Sequence, residues 1–447
     1  MSNRINRRSF LEISSAGIGA AGALGNAGPA SAQSASIDGR PARFGFIGVG
    51  DRGSYHLDIA LGIDGVEVPA ICDINDERLH AASRWIRESG RKEPRFYGKT
   101  RTDFERMCAE EDLDCIVCCT SWKWHAPVML AAMRNGKNAV CEVPLVQTLE
   151  EAWEIVETYE KTGKWATLGL KIPHSTLSNM VYEGVLGDLT HCEGGYVHDL
   201  RLVKFDPERE PWRLQPAVDR NANLYPDHPT CALMPSMDIN HTDRFDYLVS
   251  MSSRSVMLNR YADLLYGPEN YYATKQFKLG DANVTLLRTV NGKVYTLHHD
   301  THTPHPREFQ RIQGTKGVLM SLGQGIGRFV HLDGMAGDQW EPVEKVYQQY
   351  QHPLEKAYKP RPRKAVRGHG GGESFTPLFW HRLIVALAEK RVTDLDVYDS
   401  VTSSAIIPLT EISVAKKGEP VDFPDFTRGK WKTSPRIEEA FRKTFKG

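Results

Sequence analysis

Residues 42–61 read ARFGFIGVGDRGSYHLDIAL. A short apolar run, Phe44 to Val49, enters the turn Gly48-Val49-Gly50-Asp51-Arg52-Gly53 and leaves it with helical spacing. Each glycine has a physical reason in such a turn. Gly48 permits the tight bend, Gly50 lets backbone amides approach a diphosphate, and Gly53 allows close helix–strand packing, with the helix N-terminus facing the phosphates. The G-x-G-x-x-G spacing is weak alone. Here the next apolar run, VEVPAICD (66–73), ends in Asp73. That carboxylate stands about twenty residues after the glycines, where it accepts from both ribose hydroxyls and repels a 2′-phosphate. Ile74 and Asn75 follow it rather than an arginine, so the pattern selects NAD over NADP.

The alternation continues outward. DCIVCCTS (114–121) is an apolar strand, APVMLAAMRNG (126–136) a helix with a glycine stop, NAVCEVP (138–144) a strand and TLEEAWEIVETYEKTG (148–163) a helix. Strands alternating with helices predict an α/β fold, with a doubly wound parallel sheet over 41–168. Cys115, Cys118 and Cys119 then fill a buried strand, where small soft side chains pack well. With no second C-x-x-C to complete a zinc set, no metal is expected. Trp122, Trp124 and His125 follow that strand at its C-terminal edge, where open α/β sheets bind ligands; the alternative for them is a loop packed on the second domain. From 169 to 447 the runs THCEGGYVHDLR (190–201), NVTLLRTV (283–290) and KVYTLHHD (293–300) predict a second α/β domain with an open, mainly antiparallel sheet. RFDYLVSMSS (244–253) and FWHRLIVALAEKR (379–391) are read as helices, and GHGGGES (368–374) as a flexible segment bringing His369 toward the substrate.

Composition restricts the function classes. Of 447 residues 40% are hydrophobic, and 56 basic residues balance 56 acidic ones. No field for nucleic acid or an anionic membrane results. Eight cysteines are too few for a disulfide scaffold. At the N-terminus Arg7-Arg8 precede Phe10-Leu11, a Gly/Ala-rich run and Ala30-Ser31-Ala32. This is the pattern of a twin-arginine signal cleaved after residue 32, read by the export machinery, with 33–40 as linker. No segment approaches the ~18 apolar residues of a membrane span, so no stable anchor is expected and the product is periplasmic or otherwise extracytoplasmic.

From the glycine turn through TSWKWHAPVMLAAMRNGKNAVCEVPLVQTLEEAWEI (120–155), the chain resembles the glucose-fructose oxidoreductase/inositol dehydrogenase (Gfo/Idh/MocA) family. That family has Glu-Lys-Pro, with a catalytic lysine, where this chain has Glu142-Val143-Pro144. The Glu-Val-Pro variant, with GGYVHDLR (194–201), WRL (212–214), NLYPDH (223–228), IQGTKG (312–317) and GHGGG (368–372), is similar to glycoside hydrolase family 109. The resemblance implies an NAD-dependent glycosidase, α-N-acetylgalactosaminidase-like, that retains its NAD. It also implies homo-oligomerisation through the open sheet. By the same resemblance Asp51, Arg52, Asp73, Trp122, Lys123, Trp124, His125, Glu142 and Val143 touch NAD. Tyr196, Arg213 and the tetrapeptide Tyr225, Pro226, Asp227 and His228 touch the sugar. The branch's Asn and Tyr after the sixth strand are replaced within Gly169 to His174, which brings in Lys171 at the cofactor and Lys171 and His174 as bases. Its substrate-contacting Tyr is replaced by Arg307, and Leu214-Gln215-Pro216 follows its W-R pair instead of a His.

The implied chemistry oxidises the C3 hydroxyl, removes the acidified C2 proton, expels the C1 substituent, adds water and returns the hydride. Two carboxylates are not needed. A base near neutral pKa is, and among His228, Tyr225, Tyr196, Lys171 and His174 the imidazole of His228 suits best. Arg213, which cannot deprotonate, is a clamp for a hydroxyl or carboxylate. Two other readings stand beside this one: a net sugar or cyclitol NAD-dependent oxidoreductase, and a non-catalytic carbohydrate-binding protein that retains NAD.

Overall fold

The parallel sheet is built from strands that are apolar on both faces. In order they are β1 (Arg40–Ile47), β2 (Val66–Cys72), β3 (Arg95–Tyr97), β4 (Cys115–Cys118), β5 (Asn138–Cys141) and β6 (Ala166–Leu168). The computed structural model describes residues 36–169, 173, 175–305, 307–323, 327–357 and 375–445. The expected export signal, Lys171, His174 and His369 lie outside these described residues. Helices α1 (Asp51–Leu61), α2 (Asp76–Glu88), α3 (Asp103–Glu110), α4 (His125–Arg134) and α5 (Leu149–Thr162) connect the strands. All four residues of β4 are buried, as a strand covered on both faces requires. Burial pushes the thiols of Cys115 and Cys118 up, so they behave as packing groups. Local signals set the helix ends: Thr148 caps α5 by accepting the Glu151 N–H, and Gly163 stops it in the left-handed region.

The strand order is β3-β2-β1-β4-β5-β6, all parallel. The order reverses between β1 and β4, and a crevice opens at their C-terminal ends. The expected linker 33–40 is partly sheet: Ser36–Ile37 pairs antiparallel with Arg40 and Pro41, and Ile37 is buried in the core.

The second sheet has nine strands. Those of useful length are β7 (Leu189–Val197), β8 (Phe245–Ser252), β9 (Ala282–Thr289), β10 (Val294–Asp300), β11 (Phe309–Gly314), β12 (Gly317–Ser321) and β13 (Arg328–Leu332). They run β13-β12-β11-β7-β10-β9-β8, with two-residue strands Glu341–Pro342 and Val421–Asp422 at the edges. Only β7 and β10 pair in parallel among these described strands. The expected helix over 244–253 is therefore wrong. Phe245–Ser252 is a strand, paired with β9 and with Val421–Asp422. Its apolar residues at 245, 248 and 249 imitate helical spacing, but cross-strand pairing decides the conformation.

The C-terminal segment does not stay with the second sheet. Helix α6 (Thr176–Tyr182) enters the second half, α7 (Arg201–Phe205), α8 (Leu214–Asp219) and α9 (Asp227–Met237) follow β7, and α10 (Met257–Tyr266) follows β8. Helix α11 (Phe375–Ala388) then returns to the first sheet. Its Trp380 is buried against Phe44, with ring centroids 5.1 Å apart, and against Phe46 at 6.1 Å. Helix α12 (Val397–Ala415) joins both halves through hydroxyls. Ser404 Oγ accepts the Leu145 N–H, Ser400 Oγ the Leu168 N–H, Thr410 Oγ1 the Asn223 N–H and Ser413 Oγ the Ser250 N–H. Buried backbone donors need partners, and these serines and threonines supply them.

Candidate functional site

A cleft of about 830 Å³ runs from the glycine turn to the second sheet. At its nucleotide end the backbone geometry requires glycine. Gly48 has φ +83°, and a Cβ there would lie 2.7 Å from the Cys119 carbonyl oxygen; a Cβ on Gly53 would lie 1.9 Å from the Gly48 oxygen. Helix α1 starts here with no side chain capping it, an arrangement suited to a diphosphate. Asp73 is aimed at the same place: Oδ2 accepts the Val49 N–H and Oδ1 the Asn75 N–H, both at 2.9 Å. Carboxylate oxygens retain acceptor capacity beyond one bond each, enough for ribose hydroxyls. The residues therefore fit NAD: Gly48, Gly50 and the start of α1 at the diphosphate, and Asp73 at the adenosine ribose. Arg78 was not legible in the sequence. It sits one turn into α2, yet its guanidinium comes back over Gly50, where Nη1 would be 2.7 Å from a Cβ. It brings positive charge to the expected diphosphate position.

Arg52 and Glu142 line the cleft and begin a chain of contacts that runs into the core through His56 and Trp380. Trp380 Nε1 donates to His56 Nδ1 at 3.2 Å, His56 Nε2 lies 2.9 Å from Glu142 Oε1, and Arg52 Nε donates to the same oxygen at 2.8 Å. The indole is donor only, so His56 must accept at Nδ1 and carry its proton on Nε2. Burial disfavours the ionised Glu142, but Arg52 and His56 outweigh it and hold its carboxyl well below the usual range. Burial also keeps His56 neutral, its pKa lowered despite Glu142. Val143 is a buried apolar part of the wall. Asp51, Lys123 and Trp124 also line the cleft; His125 does so while its Nδ1 and Nε2 face the carbonyls of Pro144 and Thr120.

At the far end the rings of Trp122, Tyr225, Tyr196 and His228 form an aromatic box. Trp122 stacks on Tyr225 at 5.3 Å, Tyr225 meets Tyr196 at 4.5 Å, and His228 lies 4.8 Å from Tyr196 and 5.0 Å from Tyr225. The Arg213 guanidinium sits 5.1 Å over Trp122, 4.7 Å over Trp212 and 5.4 Å over Tyr225, with Nε donating to Glu210. Burial pushes both phenols up, against the arginines that oppose it. Tyr196 and Tyr225 are thus O–H donors at neutral pH rather than bases. Arg307 lines the box above Tyr196.

The sequence pattern overlooked the partners of these groups. Glu308 Oε1 lies 3.0 Å from His228 Nδ1. Tyr196 and His198 Nδ1 are 3.1 Å apart. Burial, aided by Arg307, lowers His198 to about 4, so it is a neutral imidazole in the cleft wall. His198 lies inside the quoted GGYVHDLR, two after Tyr196, and Glu308 directly follows Arg307, which was the available signal. Two of the expected sugar contacts do not reach the cleft. Pro226 is absent from its lining. Asp227 is fully buried and accepts from Ser404 on α12, because successive residues in the first turn of α9 are rotated by about 100° around its axis and face different sides.

The chain is similar to known proteins along nearly its whole length. Residues 42–170 match the model of the oxidoreductase family with the NAD-binding Rossmann fold, and residues 175–433 match the glycosyl hydrolase 109 C-terminal domain. A glycosyl hydrolase family 109 protein of Shewanella pealeana is 34% identical over 459 residues, covering 96% of this chain and 98% of that one. One of Solibacter usitatus is 35% identical over 443 residues, covering 96% and 99%. Among solved structures, a levoglucosan dehydrogenase in complex with NADH and levoglucosan aligns with a TM-score of 0.63 at 19% identity, covering 86% of this chain and all of that one. An inositol dehydrogenase homologue from Azotobacter vinelandii complexed with NAD+ gives 0.64 at 21%, covering 87% and 99%. These two share the fold. The full-length relatives and the two consecutive family matches together place the chain in glycosyl hydrolase family 109, as an NAD-dependent enzyme of the Gfo/Idh/MocA fold.

Proposed function

We propose that the protein is an exported glycosidase that cleaves α-linked N-acetylgalactosamine by transient oxidation of the sugar and keeps its NAD through the cycle. The observation that carries the reading is the His228–Glu308 pair, set in an aromatic box at the opposite end of one cleft from the glycine turn and Asp73. NAD, when bound, supplies a hydride acceptor at a sugar carbinol and returns the hydride later. The protein's own groups do the rest. Glu308 favours a proton on Nδ1 of His228, which leaves Nε2 as the base. Tyr196 and Tyr225 donate hydrogen bonds to sugar or enolate oxygens, and Arg213 adds fixed positive charge there. Trp122 excludes water from the sugar face. The first substrate to assay follows from the motifs shared with the family, Tyr225 to His228 above all.

Export is supported by Arg7-Arg8, the Gly/Ala run and Ala30-Ser31-Ala32. It suits an enzyme that loads its nucleotide before leaving the cytoplasm and does not consume it. The test is many-cycle hydrolysis of an aryl α-N-acetylgalactosaminide by purified protein with no added nucleotide. A net sugar dehydrogenase, the second reading, stalls after one cycle with its nucleotide reduced.

A further inference from the structure

One side chain crosses the nucleotide end of the cleft. The turns that leave β1 and β2 lie side by side, joined where the Gly48 N–H donates to the Cys72 carbonyl at 2.7 Å and the Val49 N–H to Asp73 at 2.9 Å. Gly50 belongs to the first turn and Asp73 to the second, so a dinucleotide with its ribose at Asp73 and its diphosphate at Gly50 spans both. Arg78 spans them too. It starts in the first turn of α2, and its guanidinium lies against Gly50: the three atoms nearest a Cβ there would be its Nη1 at 2.7 Å, Cζ at 3.2 Å and Nε at 3.7 Å. Gly50 itself has φ −72°, so the space a side chain would fill is taken by Arg78 rather than closed by the backbone twist that glycine alone tolerates. The base of this arm is moored. Asp73 Oδ1 accepts the Asn75 N–H, and the Asn75 side chain caps α2 by accepting the Arg78 N–H at 3.1 Å, which holds the ribose carboxylate and the Arg78 backbone in one unit. The tip is not. Among the described residues the guanidinium makes no hydrogen bond or ion pair, and Arg78 is exposed. Arg52, the arginine of the glycine turn itself, is engaged by Glu142.

A planar fork of donors on a permanent charge is the side chain best matched to phosphate oxygens, which it binds in pairs. We infer that Arg78 is a latch on NAD: its guanidinium pairs with the diphosphate, and the side chain must swing off Gly50 before the nucleotide leaves the crevice. Such an arm slows release without adding any contact at the far end of the cleft, where the sugar would react. The inference concerns retention of NAD alone and holds whichever reaction that far end performs.

The experiment loads the protein with labelled NAD, chases it with excess unlabelled NAD, and measures the release rate at low and high salt. Wild type, Arg78→Gln and Arg78→Lys are compared. At low salt Arg78→Gln should release NAD about tenfold faster than the wild type, the scale of one charge-assisted hydrogen bond. Arg78→Lys should fall between them, because it keeps the charge and loses the fork. Salt should speed release from the wild type and Arg78→Lys more than from Arg78→Gln, since an exposed ion pair is screened. Release from Arg78→Gln at the wild-type rate overturns the latch. So does faster release that keeps the full wild-type salt dependence, which would assign the charge effect to another cation lining this end, such as Arg101. Arg78→Lys releasing as fast as Arg78→Gln overturns it as well, because restored charge would then have bought no retention.

Discussion

Glu308 Oε1 stands 3.0 Å from Nδ1 of His228, on the side of the imidazole away from Nε2. Glu308 holds this place at φ +57°, a conformation uncommon outside glycine and most often kept at functional sites. In the proposed reaction the pair is a base with an orienting carboxylate. Glu308→Gln keeps the shape and removes the charge, so kcat should fall by about 10²-fold, within the usual range for general-base contributions. KM should change little. The acid limb of the kcat profile should lie at lower pH for Glu308→Gln than for Glu308→Asp, because in the amide variant an imidazolium loses its anionic partner; coincident limbs would mean that the carboxylate has no role. Initial rates across pH for the two variants check this.

The Trp380–His56–Glu142 chain connects α11 to the cofactor wall. Trp380→Phe keeps most of the packing against Phe44 and Phe46 but deletes the indole donor. His56 then has no donor at Nδ1 and becomes easier to protonate. Retention of NAD should become pH-dependent below about pH 6.5, the ordinary histidine range, while the wild type shows no such dependence there. Nucleotide released on denaturation, measured after equilibration at several pH values, reports it. A purely structural role would lower thermal stability without that pH dependence.

Much of the cofactor half was legible because its determinants are local. Gly48, Gly50, Gly53 and Asp73 lie within one strand–turn–helix–strand unit, where spacing alone brings them together. Trp380 and His56 are 324 residues apart, and no pattern in either segment announces the other. Glu308 escaped for a related reason: it lies at the start of β11 and reaches His228 on α9 only through sheet packing. Phe245–Ser252 was misread because burial at positions 245 and 248 fits a helix as well as a strand until its neighbours are known. Asp227 shows the opposite error. A motif with the right residue types carried one side chain into the cleft, His228, and its neighbour into the core.

That buried carboxyl has a measurable consequence. Burial raises Asp227 to about 6, against hydrogen bonds from Ser404 and Ser403 that lower it. Between the ordinary aspartate value and 6 the folded protein holds a proton that the unfolded chain has released, so stability falls as pH rises through that window. A shift of two units corresponds to about 3 kcal/mol. Asp227→Asn keeps the Ser404 contact without a charge and should be the more stable protein at pH 7 by up to about that amount, with the difference vanishing near pH 4. Denaturant melts of both proteins at the two pH values decide the matter.

In the proposed reaction, cleavage proceeds beside an oxidised carbon rather than by direct displacement at C1. It is tested most directly by hydrolysing an aryl α-N-acetylgalactosaminide to completion in D₂O and examining C2 of the released sugar. The account requires deuterium at C2, because a base must remove that proton before the leaving group departs and solvent must restore it. Released sugar that remains wholly protiated at C2 would contradict it.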